Sequence, residues 1–275
     1  MNGAPSPHHR SGEGEPLVCL HGFTGTWHVW DPVLPALTAA HDVYAPTLPD
    51  HHGGPPIGRA NTTVAELTDG VERMLDAQGI EAAHLVGNSL GGWLALELGR
   101  RGRALSVVAL SPAGAWTEEE DLHRVVHLIR EATRQGIRLG PYIGWTLNSG
   151  ALRKAFLRPM MEHGERMPAA TIRQMMADPK GCIGFDEILQ SIHEGGFQGL
   201  DEPLDCRVRI AWGDCDRTIP FDRYGEPYRT LVPGAEFIVM EGVGHVPMFD
   251  DPALVARTIL RVTAGLELAP LLDVA

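Results

Sequence analysis

Ser89, Asp216 and His245 are the residues whose types and settings could activate a hydroxyl for attack on a carbonyl carbon. From Ala83 a short apolar run, long enough for a buried strand, gives way to a turn of small residues. A helical pattern carrying Leu94, Leu96 and Leu98 follows. The glycines in Gly87-Asn88-Ser89-Leu90-Gly91 have a steric reason. A serine on so sharp a strand-to-helix turn takes a strained backbone conformation, and side chains two residues to either side would collide. The serine oxygen then stands clear of the sheet above a helix N-terminus, where backbone N–H groups can stabilise an anion.

The partners of such a serine must come from other strand ends. Arg207–Trp212 reads as a strand, and Gly213-Asp214-Cys215-Asp216-Arg217-Thr218-Ile219-Pro220 follows it. A carboxylate two or three residues past a strand end can reach over the sheet. Of the two candidates, Asp216 sits at the tip of the turn and is the expected acid. Ala235–Met240 reads as the last strand, and His245, flanked by Gly244, can lean inward from the loop after it. The apolar strand Leu105–Leu110 ends at Ser111-Pro112 and offers no carboxylate for this role. Upstream, Pro16–Leu20 runs into His21-Gly22-Phe23-Thr24-Gly25. A turn at the C-terminal end of a parallel strand lines the ligand crevice of an open α/β sheet. The N–H groups of Phe23 and Leu90 are the expected oxyanion donors. His21 is expected to hydrogen-bond within its loop, while Ile219 and Val246, beside acid and base, are expected to line the substrate pocket.

The elements around these residues alternate between strand and helix. A helix is expected from about His28 to Ala39 and a strand over His41–Pro46. A second helix, capped by Asn61 or Thr62, should run to about Gln78 with Val64, Leu67, Val71, Met74 and Leu75 on one face. Between Ala113 and Glu202 the strand-like runs cease. Thr117-Glu118-Glu119-Glu120 reads as a capping box opening a helix to about Gln135, and shorter helical pieces follow around Leu139–Asn148, Ala151–Arg158, Ala169–Ala177 and Phe185–His193. Five methionines, Met160, Met161, Met167, Met175 and Met176, fall in this stretch and suit either a greasy pocket or an ordinary helix core. His51-His52 lacks a third ligand for a metal, and His123 and His127 lack the glutamate of a zinc helix. The expected organisation is a disordered tail over 1–15, a core made of 16–112 and 203–275, and an inserted helical cap over 113–202. A helix with Leu254, Val255, Ile259 and Leu260 apolar closes the chain.

Composition bounds the function classes. The chain has 275 residues, 44% hydrophobic and 21% charged, as a globular domain requires. Its net charge of −12 argues against nucleic acid or an anionic membrane as the main partner. Cys19, Cys182, Cys206 and Cys215 lie far apart without C-x-x-C spacing, which fits a reducing cytoplasm better than a disulfide framework. No apolar run approaches the ~18 residues of a membrane span. Met1–Glu15 lacks the apolar segment of a secretory signal. No motif for a metal or an organic cofactor is present, and oligomeric state is not legible.

The motifs His21-Gly22-Phe23, Gly87-Asn88-Ser89-Leu90-Gly91-Gly92, Gly213-Asp214-Cys215-Asp216-Arg217-Thr218-Ile219-Pro220 and Gly244-His245 together resemble those of the α/β-hydrolase superfamily, over about residues 16 to 265. The order serine, aspartate, histidine along the chain is that of the same group. The resemblance implies a mostly parallel central sheet flanked by helices, with an inserted helical cap. The antiparallel strand pair usual before the first motif strand is expected to be missing or reduced, because only a short polar stretch precedes Pro16. It implies a serine carboxylesterase working through an acyl-enzyme, and the methionine-rich cap suggests a medium-sized, partly apolar ester as substrate. Activity should fall on the acid side, near ~6–7, as the base protonates. Alternatives on the same fold are hydrolysis of a diketone carbon–carbon bond, since Gly-Asn-Ser-x-Gly-Gly also resembles the elbow of ring-fission-product hydrolases. A non-hydrolytic lyase or cyclase and a small-ligand receptor are further ones.

Overall fold

The computed structural model describes residues 6–266 apart from 59–61, 117, 140–143 and 145. One sheet organises it, built from β1 (His8–Ser11), β2 (Pro16–Leu20), β3 (Asp42–Pro46), β4 (Ala83–Asn88), β5 (Ala104–Leu110), β6 (Arg207–Gly213) and β7 (Glu236–Met240). The spatial order is β1-β3-β2-β4-β5-β6-β7. β1 runs antiparallel to β3, and every other neighbouring pair is parallel. The helices are α1 (Leu34–Leu37), α2 (Val64–Ala77), α3 (Leu90–Arg100), α4 (Glu119–Leu139), α5 (Gly150–Leu157), α6 (Ala169–Ala177), α7 (Phe185–Glu194), α8 (Tyr228–Leu231), α9 (Pro247–Asp250) and α10 (Pro252–Thr263).

The central strands are apolar on both faces because helices cover both. On one side Val18, Leu20, Leu85, Val107, Ala109 and Trp212 pack with Leu67, Val71 and Leu75 of α2 and Leu94 and Leu98 of α3. On the other, Leu17, Cys19, Val86, Val108, Leu110 and Ala211 meet Trp30, Leu37, and Val255, Ile259 and Val262 of α10. Between β5 and β6 the described residues contain helices and no strand, α4 to α7. Met161 and Met167 are fully buried in the second core, joined by Met176, with Met160 and Met175 partly buried against it.

Several expectations need correction. Residues 8–11 are not a disordered tail; they pair with β3, from His8 opposite Pro46 to Ser11 opposite Val43. The antiparallel part of the sheet is thus reduced to one four-residue strand. Its sequence, HHRS, has no apolar alternation, and it is held by main-chain bonds and by Arg10, whose guanidinium lies 2.7 Å from Asp42. The helix expected over 28–39 is instead a 3₁₀ turn, Trp27–Trp30, and the short α1. Pro32 and Pro35 remove the N–H groups a continuous helix would need. Thr63, not Asn61 or Thr62, caps α2; its hydroxyl accepts from the Glu66 N–H while the Glu66 carboxylate accepts from the Thr63 N–H. Thr62 is occupied by the Asp50 carboxylate, and Asn61 and Thr117 lie outside the described residues.

Candidate active site

Ser89 sits between β4 and α3 with φ 56° and ψ −120°, a conformation costly for any residue with a side chain. The glycines around it are fixed by contact. A Cβ at Gly87 would lie 2.0 Å from the Gly91 carbonyl oxygen, and one at Gly91 would lie 2.2 Å from that of Leu20. The serine main chain is held as well. Its N–H donates to the Leu110 carbonyl at 3.0 Å, and its carbonyl accepts from Gly92 at 2.9 Å and Ala113 at 3.1 Å. The sharp turn is thereby braced against the end of β5 and the start of α3.

Asp216 and His245 come from the loops after β6 and β7, whose strands are neighbours. His245 Nδ1–H donates to Asp216 Oδ2 at 2.8 Å. The other carboxylate oxygen accepts from the N–H groups of Thr218 and Ile219, both at 2.9 Å. The carboxylate is buried and these three hydrogen bonds fix its orientation, so the imidazole proton is held on Nδ1 and Nε2 is left free to accept one. The pair is tied to the elbow by Asn88, whose Nδ2 donates to the His245 carbonyl at 2.8 Å and the Leu110 carbonyl at 3.1 Å. Among the described residues the Ser89 hydroxyl itself has no hydrogen-bond partner; such contacts commonly tighten only when substrate binds.

The loop after β2 lies against the serine: a Cβ at Gly22 would be 3.2 Å from Ser89 Cβ. His21 braces this loop as expected. Its Nδ1–H donates to the Gly22 carbonyl at 2.7 Å and its Nε2 accepts from the Leu48 N–H at 2.8 Å. Burial and the neighbouring His51 hold its pKa well below 6.5, so the imidazole stays neutral. Among the described residues, neither the Phe23 nor the Leu90 N–H donates a main-chain hydrogen bond, and Leu90 opens α3, where the helix dipole favours negative charge. Ile219 is buried, with its carbonyl accepting from Trp212 Nε1 at 3.0 Å; Val246 is buried against the opposite core. His51 and His52 diverge, one donating to the Pro49 carbonyl and the other facing Asp178. Cys215, adjacent to Asp216, is kept a thiol, since burial and the Asp214 carboxylate push its pKa up to about 11.

Two contributors escaped the sequence reading. Asn88 was visible only as the residue before the serine, and nothing in its spacing foretells two carbonyl partners. Asp250 reads as the start of a closing helix, yet its carboxylate accepts from the Gly244 N–H at 2.7 Å, immediately before His245.

This sheet, elbow and set of strand-end loops define a class. A sequence model of the alpha/beta hydrolase family matches residues 17–258, and the chain belongs to that family. It is 33% identical over 204 residues to the epoxide hydrolase EphH of Mycobacterium tuberculosis, covering 71% of this chain and 92% of that one. It is 29% identical over 255 residues to the dihydrolipoyllysine-residue acetyltransferase component of the acetoin cleaving system of Cupriavidus necator, covering 88% of this chain and 61% of that protein. Among solved structures, a thermophilic esterase from Thermogutta terrifontis superimposes with a TM-score of 0.69 at 20% identity, covering 94% of this chain and 92% of that one. The family and the likeness to EphH support a hydrolase, and the superposition supports the fold. Among the described residues no helix is long and apolar enough to cross a membrane.

Proposed function

We propose that this chain is a serine hydrolase that cleaves a carboxylic ester of a medium-sized, partly apolar molecule. The observation that carries the reading is the Ser89 elbow at φ 56°, tied through the Asn88 side chain to the main chain of His245, whose imidazole a buried carboxylate holds. Ser89 Oγ attacks the carbonyl carbon as His245 Nε2 takes its proton, and Asp216 stabilises the imidazolium. The Phe23 and Leu90 N–H groups meet the developing oxyanion, worth roughly 3–4 kcal/mol per donor. The imidazolium then protonates the departing alkoxide, leaving an acyl-serine. Water, deprotonated by His245, attacks the acyl carbon and releases the acid and the free hydroxyl. The insertion over 113–202 serves as the cap, with Ile219 and Val246 bordering the substrate space. The substrate is a small molecule, no cofactor enters the cycle, and the compartment is the cytoplasm.

The likeness to an epoxide hydrolase raises epoxide opening as a second reading. Chemistry favours the first. A serine oxygen that opened an epoxide would form an ether, which water does not release, whereas attack on an ester gives an acyl-enzyme that water does. The test is labelling by a fluorophosphonate with Ser89→Ala as control, followed by p-nitrophenyl esters of increasing acyl length, a diketone and an aryl epoxide. Labelling of Ser89 with ester turnover is the expected result. Epoxide turnover that survives Ser89→Ala would overturn it, and preference for the diketone would move the reaction to carbon–carbon cleavage.

A further inference from the structure

We propose that Asp250 is a positioning residue for His245, bolting the main chain around the imidazole to segment 158–163 of the helical insertion. This rests on the serine-triad reading above. Asp250 is fully buried, and its carboxylate accepts three main-chain donors: Gly244 N–H at 2.7 Å and Glu162 N–H at 3.0 Å on Oδ2, and His163 N–H at 2.6 Å on Oδ1. Its own carbonyl accepts from the Arg166 guanidinium. A buried carboxylate is costly unless it gathers such donors, and no neutral side chain of its size accepts all three. Helix capping does not explain it, because α10 is capped by Asp251, whose Oδ1 accepts from the Leu254 N–H at 2.8 Å.

The bonds fall on both sides of the base. Gly244 precedes His245 and is held through Asp250; Val246 follows it, and its N–H donates to the Met160 carbonyl at 3.0 Å. The approach is close enough to demand glycine, since a Cβ at 244 would come within 2.8 Å of the Met160 oxygen and 2.9 Å of Met161 Cα. The acid loop is fastened to the same segment: the Thr218 hydroxyl donates to the Pro159 carbonyl at 2.9 Å, and Arg217 pairs with Glu162 at 2.7 Å. Segment 158–163 is therefore the shared reference against which Asp216 and His245 are set. A shift of the insertion at this end would be felt by both.

Two variants of the full chain test this by different routes. D250N keeps the size but turns an amide NH2 toward main-chain donors; G244A wedges the same contact open without changing charge. Each is compared with wild type and with D42N, which breaks the Arg10 pair at the far sheet edge. In both site variants kcat and the rate of fluorophosphonate labelling should fall by about 10²-fold, as small misplacements of a catalytic group do. KM should change by less than about threefold, and the acid limb of the kcat/KM profile should move. Hydrogen exchange should quicken at 158–163 and 243–246 while the central strands stay protected. D42N should lose stability without these effects. If D250N fails to fold, G244A carries the test alone. A folded site variant with wild-type labelling and kcat, or one that loses only melting temperature, overturns the positioning role. A wild type that is not labelled at Ser89 overturns the serine reading instead, and the exchange data then still decide whether the bolt exists.

Discussion

At the scale of single residues, the proposed site depends on a serine held where few side chains are tolerated and an imidazole whose tautomer is fixed by its carboxylate partner. Ser89→Ala should abolish fluorophosphonate labelling and lower ester kcat by about 10⁴-fold or more, leaving the fold intact by circular dichroism. Asp216→Asn is subtler. Its remaining oxygen can still accept from Thr218 and Ile219, but its amide faces the His245 Nδ1–H, so kcat should drop about 10⁴-fold with KM little changed. A loss under tenfold would argue against this acid. The residue types and their strand-end placement were legible because each obeys a local steric rule. Asn88 and Asp250 were not, because their roles lie in partners 157 and 88 residues away along the chain.

At the scale of elements, the parallel strands and their helices could be read because burial on both faces leaves an unbroken apolar run. β1 could not, since an edge strand of HHRS needs no apolar face. Proline broke the expected helix over 28–39, a case where apolar spacing misleads and backbone chemistry decides. Glycines separate the tight places from the loose. Gly91→Ala drives a Cβ to 2.2 Å from the Leu20 oxygen, and unfolding in urea should show a loss of about 3 kcal/mol. Gly136 lies within α4 with nothing within 4 Å of a Cβ, so Gly136→Ala should stabilise, by about 0.5–1 kcal/mol. Equal effects of the two substitutions would contradict the packing described.

At the scale of the whole molecule, stability should depend on pH through histidines that the fold keeps neutral. His51 is buried beside His21, and its burial lowers its pKa from 6.5 to about 4. Between those values the unfolded chain binds a proton that the folded chain refuses, so stability falls as pH falls through the window. The full penalty from His51 is about 3 kcal/mol, reached below the lower value. His21 adds to it in the same direction. Melting temperature should decline from pH 6.5 to 4, and His51→Leu should flatten the slope; an unchanged slope would count against a neutral His51. The first few residues matter for a different reason. Without residues 1–11, the strand Asp42–Pro46 would present a naked row of amides and carbonyls along the outside of the sheet, the kind of seam on which a second copy can zip. A chain trimmed there should grow in size by light scattering as its concentration rises, beyond anything the untrimmed chain shows, so four polar residues would prove to be the stopper on that edge.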